Sequence, residues 1–202
     1  MEPWSVLVTG FEPFGKIEQN PSEKVVEALQ GRRIAGSRVE GLILPCIFEE
    51  APRRLKSAIR QHKPVAVVCL GLAHRSRMLR LERRASNWIE ARIPDNAGEQ
   101  PRGTPVIRDG PSHFACSLPV REILAAWRQA DLACRLSASA GGYVCNHLYY
   151  HLLHLLQARP IPAGFIHVPP LPREPLRRRQ AERDQVRAVA LAIETTLRLS
   201  LG

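Results

Sequence analysis

The run Pro64–Leu70, PVAVVCL, constrains this chain more than any other segment. A continuous apolar run suits a strand that is covered on both faces, and such strands occur in parallel sheets flanked by helices. Further strand signals lie at Trp4–Thr9, which ends at Gly10, and at Val39–Ile47, Cys134–Ala140 and Gly164–Val168. Helix signals alternate with them. Asn20-Pro21-Ser22-Glu23 reads as an N-cap, an N1 proline and a capping-box acid that open a helix through Gln30. Other helices are predicted over Phe48–Gln61, Pro119–Gln129, Asn146–Gln157 and Leu176–Leu199. Arg77–Ile89 alternates weakly and reads as an edge hairpin. Ile93–Gly110 holds Pro94, Asp95-Asn96, Gly98, Pro101, Gly103 and Asp109-Gly110, a turn-rich excursion. The order predicts a single-domain α/β fold over residues 1–202, a three-layer α/β/α sandwich with a mostly parallel mixed central sheet.

In such sheets the chemistry gathers at the carboxyl ends of the strands. That rule selects the loops Gly10–Gln19, Gly71–Arg77 and Gly141–Cys145, and the exit His167–Pro172. In Ser139-Ala140-Gly141-Gly142-Tyr143-Val144-Cys145-Asn146-His147 a strand ends in two glycines and a cysteine stands where a helix begins. The unpaired N–H groups and dipole of a helix N-terminus lower a thiol's pKa from about 8.5 and can receive an oxyanion. A buried structural cysteine is an equal alternative on this segment alone. A cysteine nucleophile needs an imidazole base held by a third group. His167 ends the strand that follows the helix opened by Cys145, so a right-handed crossover sets the two strand ends side by side.

His147, His151 and His154 share one helix, but Leu148 stands where the HExxH motif has its glutamate, so no metal is expected. Gly10-Phe11-Glu12-Pro13-Phe14-Gly15-Lys16-Ile17 narrowly misses the phosphate loop, because Ile17 has no hydroxyl for magnesium. Phe11 and Phe14 either grip a small neutral ring or belong to the core of a plain turn; both readings stand here.

Composition narrows the partners. The net charge is +10, but the 29 basic residues comprise four lysines and 25 arginines scattered along the chain. Between 173 and 187 the arginines interleave with Glu174, Glu182 and Asp184, as on a solvated helix face. No RNP motif, zinc finger or basic zipper accompanies them, so no nucleic-acid partner is expected. No apolar stretch nears the roughly 20 residues of a membrane span. Met1-Glu2-Pro3-Trp4 has no basic n-region, which predicts no signal peptide. Five widely spaced cysteines with no CxxC favour a reducing compartment, hence the cytoplasm.

The chain resembles the pyroglutamyl peptidase I family of cysteine peptidases nearly end to end. The resemblance rests on Leu7-Val8-Thr9-Gly10-Phe11-Glu12-Pro13-Phe14-Gly15 with Asn20-Pro21-Ser22, and on Leu44-Pro45. It continues in Glu82-Arg83-x-Ala85-x-Asn87, Ala91-Arg92-Ile93-Pro94-Asp95-Asn96 and Ala140-Gly141-x-Tyr143-Val144-Cys145-Asn146-His147. The last pieces are Gly164-Phe165-Ile166-His167-Val168-Pro169 and Leu171-Pro172. It implies a Cys145–His167–Glu82 triad and a thioester intermediate. It also implies a pyroglutamyl pocket formed by Phe11 and Phe14 with Tyr143 and Val144. Asn20 is implied as a pocket contact and Arg92 as a stabiliser of the oxyanion or the active-site loop. The implied partners are peptides with an N-terminal pyroglutamate, with no cofactor and a homo-oligomeric state, often a tetramer. Gly71-Leu72-Ala73-His74-Arg75 departs from the Gly-Gln-Ala-Gly-Gly of many bacterial relatives, which bears on affinity and substrate choice. Two alternatives remain: a non-catalytic relative that binds a small molecule or protein, and a basic phosphate- or nucleic-acid-binding protein.

Overall fold

The computed structural model describes residues 4–201, so the reading of Met1–Pro3 falls outside the described residues. The elements run β1 (Ser5–Phe11), α1 (Pro21–Leu29), β2 (Arg33–Ile34), β3 (Ser37–Leu44), α2 (Glu50–His62), β4 (Ala66–Leu72), β5 (Leu79–Glu82), β6 (Arg84–Ser86), β7 (Ile89–Glu90) and β8 (Arg102–Thr104). They continue with β9 (His113–Ala115), α3 (Val120–Gln129), β10 (Cys134–Ser137), α4 (Val144–Leu156), β11 (Ala163–Val168) and α5 (Pro175–Leu201).

Seven strands form one sheet in the order β10-β5-β11-β4-β1-β3-β2. Pairing is parallel except between β5 and β11 and between β2 and β3. This is the predicted mixed, mostly parallel α/β sandwich. The strand predicted from the PVAVVCL run is β4, near the centre, and every one of its residues is buried.

Alternate residues of the central strands feed two cores. Leu7, Val67, Cys69 and Phe165 pack with Leu55 and Ile59 of α2 and Leu148 and Leu152 of α4. Val6, Val8, Val68, Leu70 and Ile166 pack with Val26 of α1, Trp127 of α3 and Val189 and Ile193 of α5. Trp127 is fully buried, and its indole N–H donates to the carbonyl of Ala188 at 2.8 Å, so its one polar atom is satisfied.

The start of α1 follows the sequence in part. Asn20 Oδ1 accepts from the Ser22 N–H at 3.1 Å and the Ser22 hydroxyl at 2.9 Å. The cap is thus an asparagine turn, and Glu23 adds no reciprocal bond among the described residues. The edge hairpin expected over Arg77–Ile89 is corrected. β5 lies inside the sheet between β10 and β11, and β6 pairs with β9 in a separate ribbon. Leu79 and Leu81 join the α3/α5 core, which leaves Arg80 and Glu82 on the opposite face. The polar half of the alternation faces a polar site instead of solvent.

Candidate functional site

The α2/α4 face at the carboxyl ends of β4 and β11 carries the convergence. Tyr143 caps α4 with extended backbone, so Val144 and Cys145 are the first two helical residues. Gly141 stands at φ +89°, left-handed space that residues with a Cβ rarely adopt, and it turns the chain into the helix. A Cβ on Gly71 would lie 2.8 Å from Cys145 Sγ and 2.9 Å from Phe165 Cζ, so the sulfur rests directly on bare backbone of β4. In the β4/β11 register Gly71 pairs with His167, and Phe165 and His167 point to the same side. The Cys145 sulfur at the start of α4 thus rests on the residue of β4 that pairs with His167 of β11.

His167 is buried, and its Nδ1 lies 2.9 Å from Oε1 of Glu82, which is fully buried. The Arg80 Nε lies 3.2 Å from the same oxygen. The Arg80 guanidinium also donates to Ser137 Oγ at 2.5 Å and to the Ser139 carbonyl at 2.9 Å, which ties β5 to the end of β10. A buried carboxylate without such partners would be strongly unfavourable. With Nδ1 engaged by Glu82, Nε2 of His167 is the nitrogen left for a reacting group.

The acidity of Cys145 corrects the expectation of a lowered pKa. Burial pushes the thiol well above its ordinary value, and Cys46 and Glu82 nearby push the same way, against a smaller lowering by its backbone N–H. Although the residue keeps some exposed surface, desolvation of its sulfur is the largest influence on it. A raised pKa favours the protonated thiol, which calls for a base to take its proton.

The expected pocket residues divide. Phe14 lines a cavity of about 710 Å³ together with His74, Ile93 and Pro94. Tyr143 packs against Phe14, with ring centroids 5.8 Å apart, and its hydroxyl donates to the Pro94 carbonyl at 2.9 Å. Phe11 and Val144 are fully buried in the core beneath and do not line that cavity. Asn20 is buried too; its Oδ1 caps α1 and its Nδ2 donates to the Glu12 carbonyl at 3.1 Å, so both polar ends hold the loop. Arg92 is exposed and lines a second, smaller cavity.

Several framing residues had no role assigned from sequence. Asp95 accepts from the N–H groups of Phe48, Ala97 and Glu99, each at 2.9 Å. Asn96 Nδ2 donates to Glu12 Oε1 at 2.7 Å and to the Pro13 carbonyl at 3.0 Å, joining the excursion to the loop after β1. Asn146 binds the Ser86 N–H and carbonyl at 2.9 and 2.8 Å, fixing α4 to β6. Their signal was compositional: short polar side chains embedded in apolar or turn-rich sequence, where backbone groups need partners. Among the described residues no three His, Cys, Asp or Glu side chains are arranged to hold a metal ion. All five cysteines are free.

A thiol at a helix start on a doubly covered α/β sheet, with a buried imidazole–carboxylate pair on neighbouring strands, fits the cysteine-hydrolase class. Comparisons with known proteins narrow this. A family model for pyroglutamyl peptidase matches residues 4–199. A pyrrolidone-carboxylate peptidase of Gloeobacter violaceus is 46% identical over 173 residues, covering 85% of this chain and 84% of that protein. One from an Enterobacter species is 40% identical over 197 residues, covering 97% and 92%. The crystal structure of Bacillus amyloliquefaciens pyroglutamyl peptidase I superposes with a TM-score of 0.90 at 32% identity, covering 98% of each chain. Pyrrolidone carboxyl peptidase of Pyrococcus furiosus gives 0.91 at 33% identity, covering 97% of this chain and 99% of that one. The chain belongs to the pyroglutamyl peptidase family and is a cysteine peptidase of the pyroglutamyl peptidase I type.

Proposed function

We propose that the chain cleaves the amide bond after an N-terminal pyroglutamyl residue of peptides, with Cys145 as nucleophile, His167 as general base and Glu82 as its orienting partner. The observation that carries this is the buried 2.9 Å contact of Glu82 with His167, on the strand position that faces Cys145 across Gly71. Nε2 of His167 takes the thiol proton as the sulfur attacks the pyroglutamyl carbonyl. Glu82 holds the imidazole in the tautomer with Nδ1 protonated and stabilises the cation that forms. N–H groups of the first turn of α4 receive the oxyanion. The imidazolium then protonates the leaving amine, and water, deprotonated by the same nitrogen, releases pyroglutamate from the thioester.

The cavity walled mainly by Phe14, Ile17, Ile93 and Pro94, with Lys16, His74, Asp95 and Asn96 as its polar groups, suits a compact neutral lactam. An ordinary N-terminus would bring a charged amine into this apolar space, at a cost of several kcal/mol. The free thiols suit a reducing compartment, and we place the activity in the cytoplasm. No helix among the described residues is long and apolar enough to cross a membrane. A homo-oligomer, as the family resemblance implies, belongs to the same proposal.

The test is hydrolysis of a pyroglutamyl fluorogenic amide under reducing conditions. Wild type is expected to turn over, Cys145→Ala to be inert, and folded Glu82→Gln to lose roughly 10²–10⁴-fold in kcat. An inert wild type at high enzyme concentration ends the peptidase reading. Near-normal turnover by Glu82→Gln removes Glu82 from the mechanism.

A further inference from the structure

Beside the apolar cavity lies a second one of about 380 Å³, walled by Arg75, Arg80, Arg92 and Arg135 with His74, and no carboxylate lines it. His74 lines both cavities, so they share a wall. The arginines are not equivalent. Arg80 is committed to Glu82, Ser137 and Ser139. Arg75, Arg92 and Arg135 are exposed, and among the described residues their side chains make no ion pair or hydrogen bond. Three unpaired guanidinium groups in one concave space repel one another and hold a positive potential that an anion relieves. Guanidinium also matches a carboxylate in geometry, through paired N–H donors.

The position relative to the triad gives the cavity a direction. Arg80 pairs with His167 across β5 and β11, on the face that carries Glu82. The imidazole that protonates the leaving amine must stand on the leaving side of the scissile bond. With the pyroglutamyl ring in the apolar cavity, the peptide beyond that bond runs into the neighbouring space, and the arginine cavity, which shares His74 with the apolar one, is that neighbour. Resting on the peptidase reading above, we infer that the arginine cavity binds a carboxylate of the leaving peptide, so that pyroglutamyl peptides with a carboxylate close behind the scissile bond are the favoured substrates. The carboxylate comes from an acidic side chain or from the C-terminus of a very short peptide. Arg75 and Arg135 act on affinity for the leaving part and take no part in bond breaking.

Four peptides test this with the full-length protein: pyroglutamyl-Ala-Ala amide, its free acid, pyroglutamyl-Glu-Ala amide and pyroglutamyl-Lys-Ala amide. At low ionic strength the free acid or the Glu peptide is expected to exceed the neutral amide roughly tenfold in kcat/KM, mainly through KM, with the Lys peptide below it. The advantage shrinks as salt rises. If only one acidic peptide gains, the proposal stands and that peptide identifies the source of the carboxylate. Arg75→Ser combined with Arg135→Ser is expected to bring the acidic-to-neutral ratio toward one. A ratio between two substrates is insensitive to any general loss of activity in the variant. Equal rates for all four peptides overturn the inference while leaving the peptidase reading intact, as does a ratio that survives both substitutions. Failure to cleave all four peptides ends both.

Discussion

Gly71 is glycine because the Cys145 sulfur occupies the place where its side chain would be. A Cβ there would stand 2.8 Å from Cys145 Sγ and 2.9 to 3.0 Å from the Phe165 ring, closer than ordinary packing permits. Phe165 is fully buried and its ring lies 4.8 Å from that of His167, so the strain has nowhere to go except toward the candidate site. Gly71→Ala is expected to cost about 1–3 kcal/mol by overpacking and to lower turnover far more than that loss of stability explains. Urea unfolding beside kcat on the pyroglutamyl amide checks this; a destabilised variant with unchanged kcat would detach Gly71 from the nucleophile. At this scale the sequence was legible where local context carried the information. The glycine pair before Cys145 and the strand end at His167 each have a local signature. Glu82 has none. It stands among Arg80, Arg83 and Arg84 like a surface charge, and its complete burial follows from the pairing of β5 with β11, which brings it to His167, 85 residues away. The family motif, not the local chemistry, picked it out. The acidity of Cys145 is not legible in the sequence for a related reason, since desolvation depends on everything packed around the sulfur, whereas the helix start is visible in the chain itself.

Among the elements, α4 does two jobs at its two ends. Its first turn presents Cys145, and the helix carries His147 against Phe48 and, further along, His151 and His154, the last packed on Phe114 of β9. His147 packs edge-on to Phe48 at 5.3 Å and to His151 at 4.6 Å between ring centroids. Burial, with His151 nearby, lowers the pKa of His147 to about 3, and burial, His154 and Lys56 lower that of His151. Protonation of His147 is therefore disfavoured in the folded state and free in the unfolded one, whose imidazole titrates near 6.5. Between these values the unfolded chain binds the extra proton, so stability rises with pH across that window and is progressively lost as pH falls from about 6.5 toward 3. The loss attributable to His147 is on the order of a few kcal/mol. His147→Gln, which cannot titrate, is expected to flatten the fall. Urea midpoints at pH 7 and pH 4.5 for both proteins measure it; parallel curves would assign the acid sensitivity to other groups. The helical spacing of these histidines was plain in the sequence, but their depth was not, because α2 is brought against them only by the fold. β5 was misplaced for a like reason: Leu79 and Leu81 gave it one apolar face, and nothing local told that its polar face meets a site.

For the whole molecule, the alternation of strands and helices sufficed to give the layers, because a sheet with two buried faces leaves little else for the intervening helices to do. Charge is the property that the layers do not determine. The chain carries +10, and much of its acid is already committed. Glu50 pairs with both Arg53 and Arg54, and Glu82 with Arg80 and His167. Arg75, Arg92 and Arg135 crowd one cavity with no counter-charge. Two effects of salt then compete. Screening weakens exposed pairs such as Lys24–Glu27 and Arg198–Glu194, each worth about 0–1 kcal/mol at most. It also relieves the repulsion of an excess of ten positive charges, which spans the whole surface and reaches beyond the ~10 Å Debye length at 0.1 M. Pairs in contact at about 3 Å are screened least and the long-range excess most, so relief wins. Raising sodium chloride from about 20 mM to about 500 mM is expected to stabilise the fold by on the order of 1 kcal/mol, a rise of about 2–4 °C in Tm for a chain of this size. Scanning calorimetry across that range measures it, and a falling Tm would mean that the ion pairs, not the net charge, dominate. Arg75→Ser with Arg135→Ser should raise Tm at low salt and reduce its salt dependence, because the substitutions remove part of the repulsion that salt otherwise relieves.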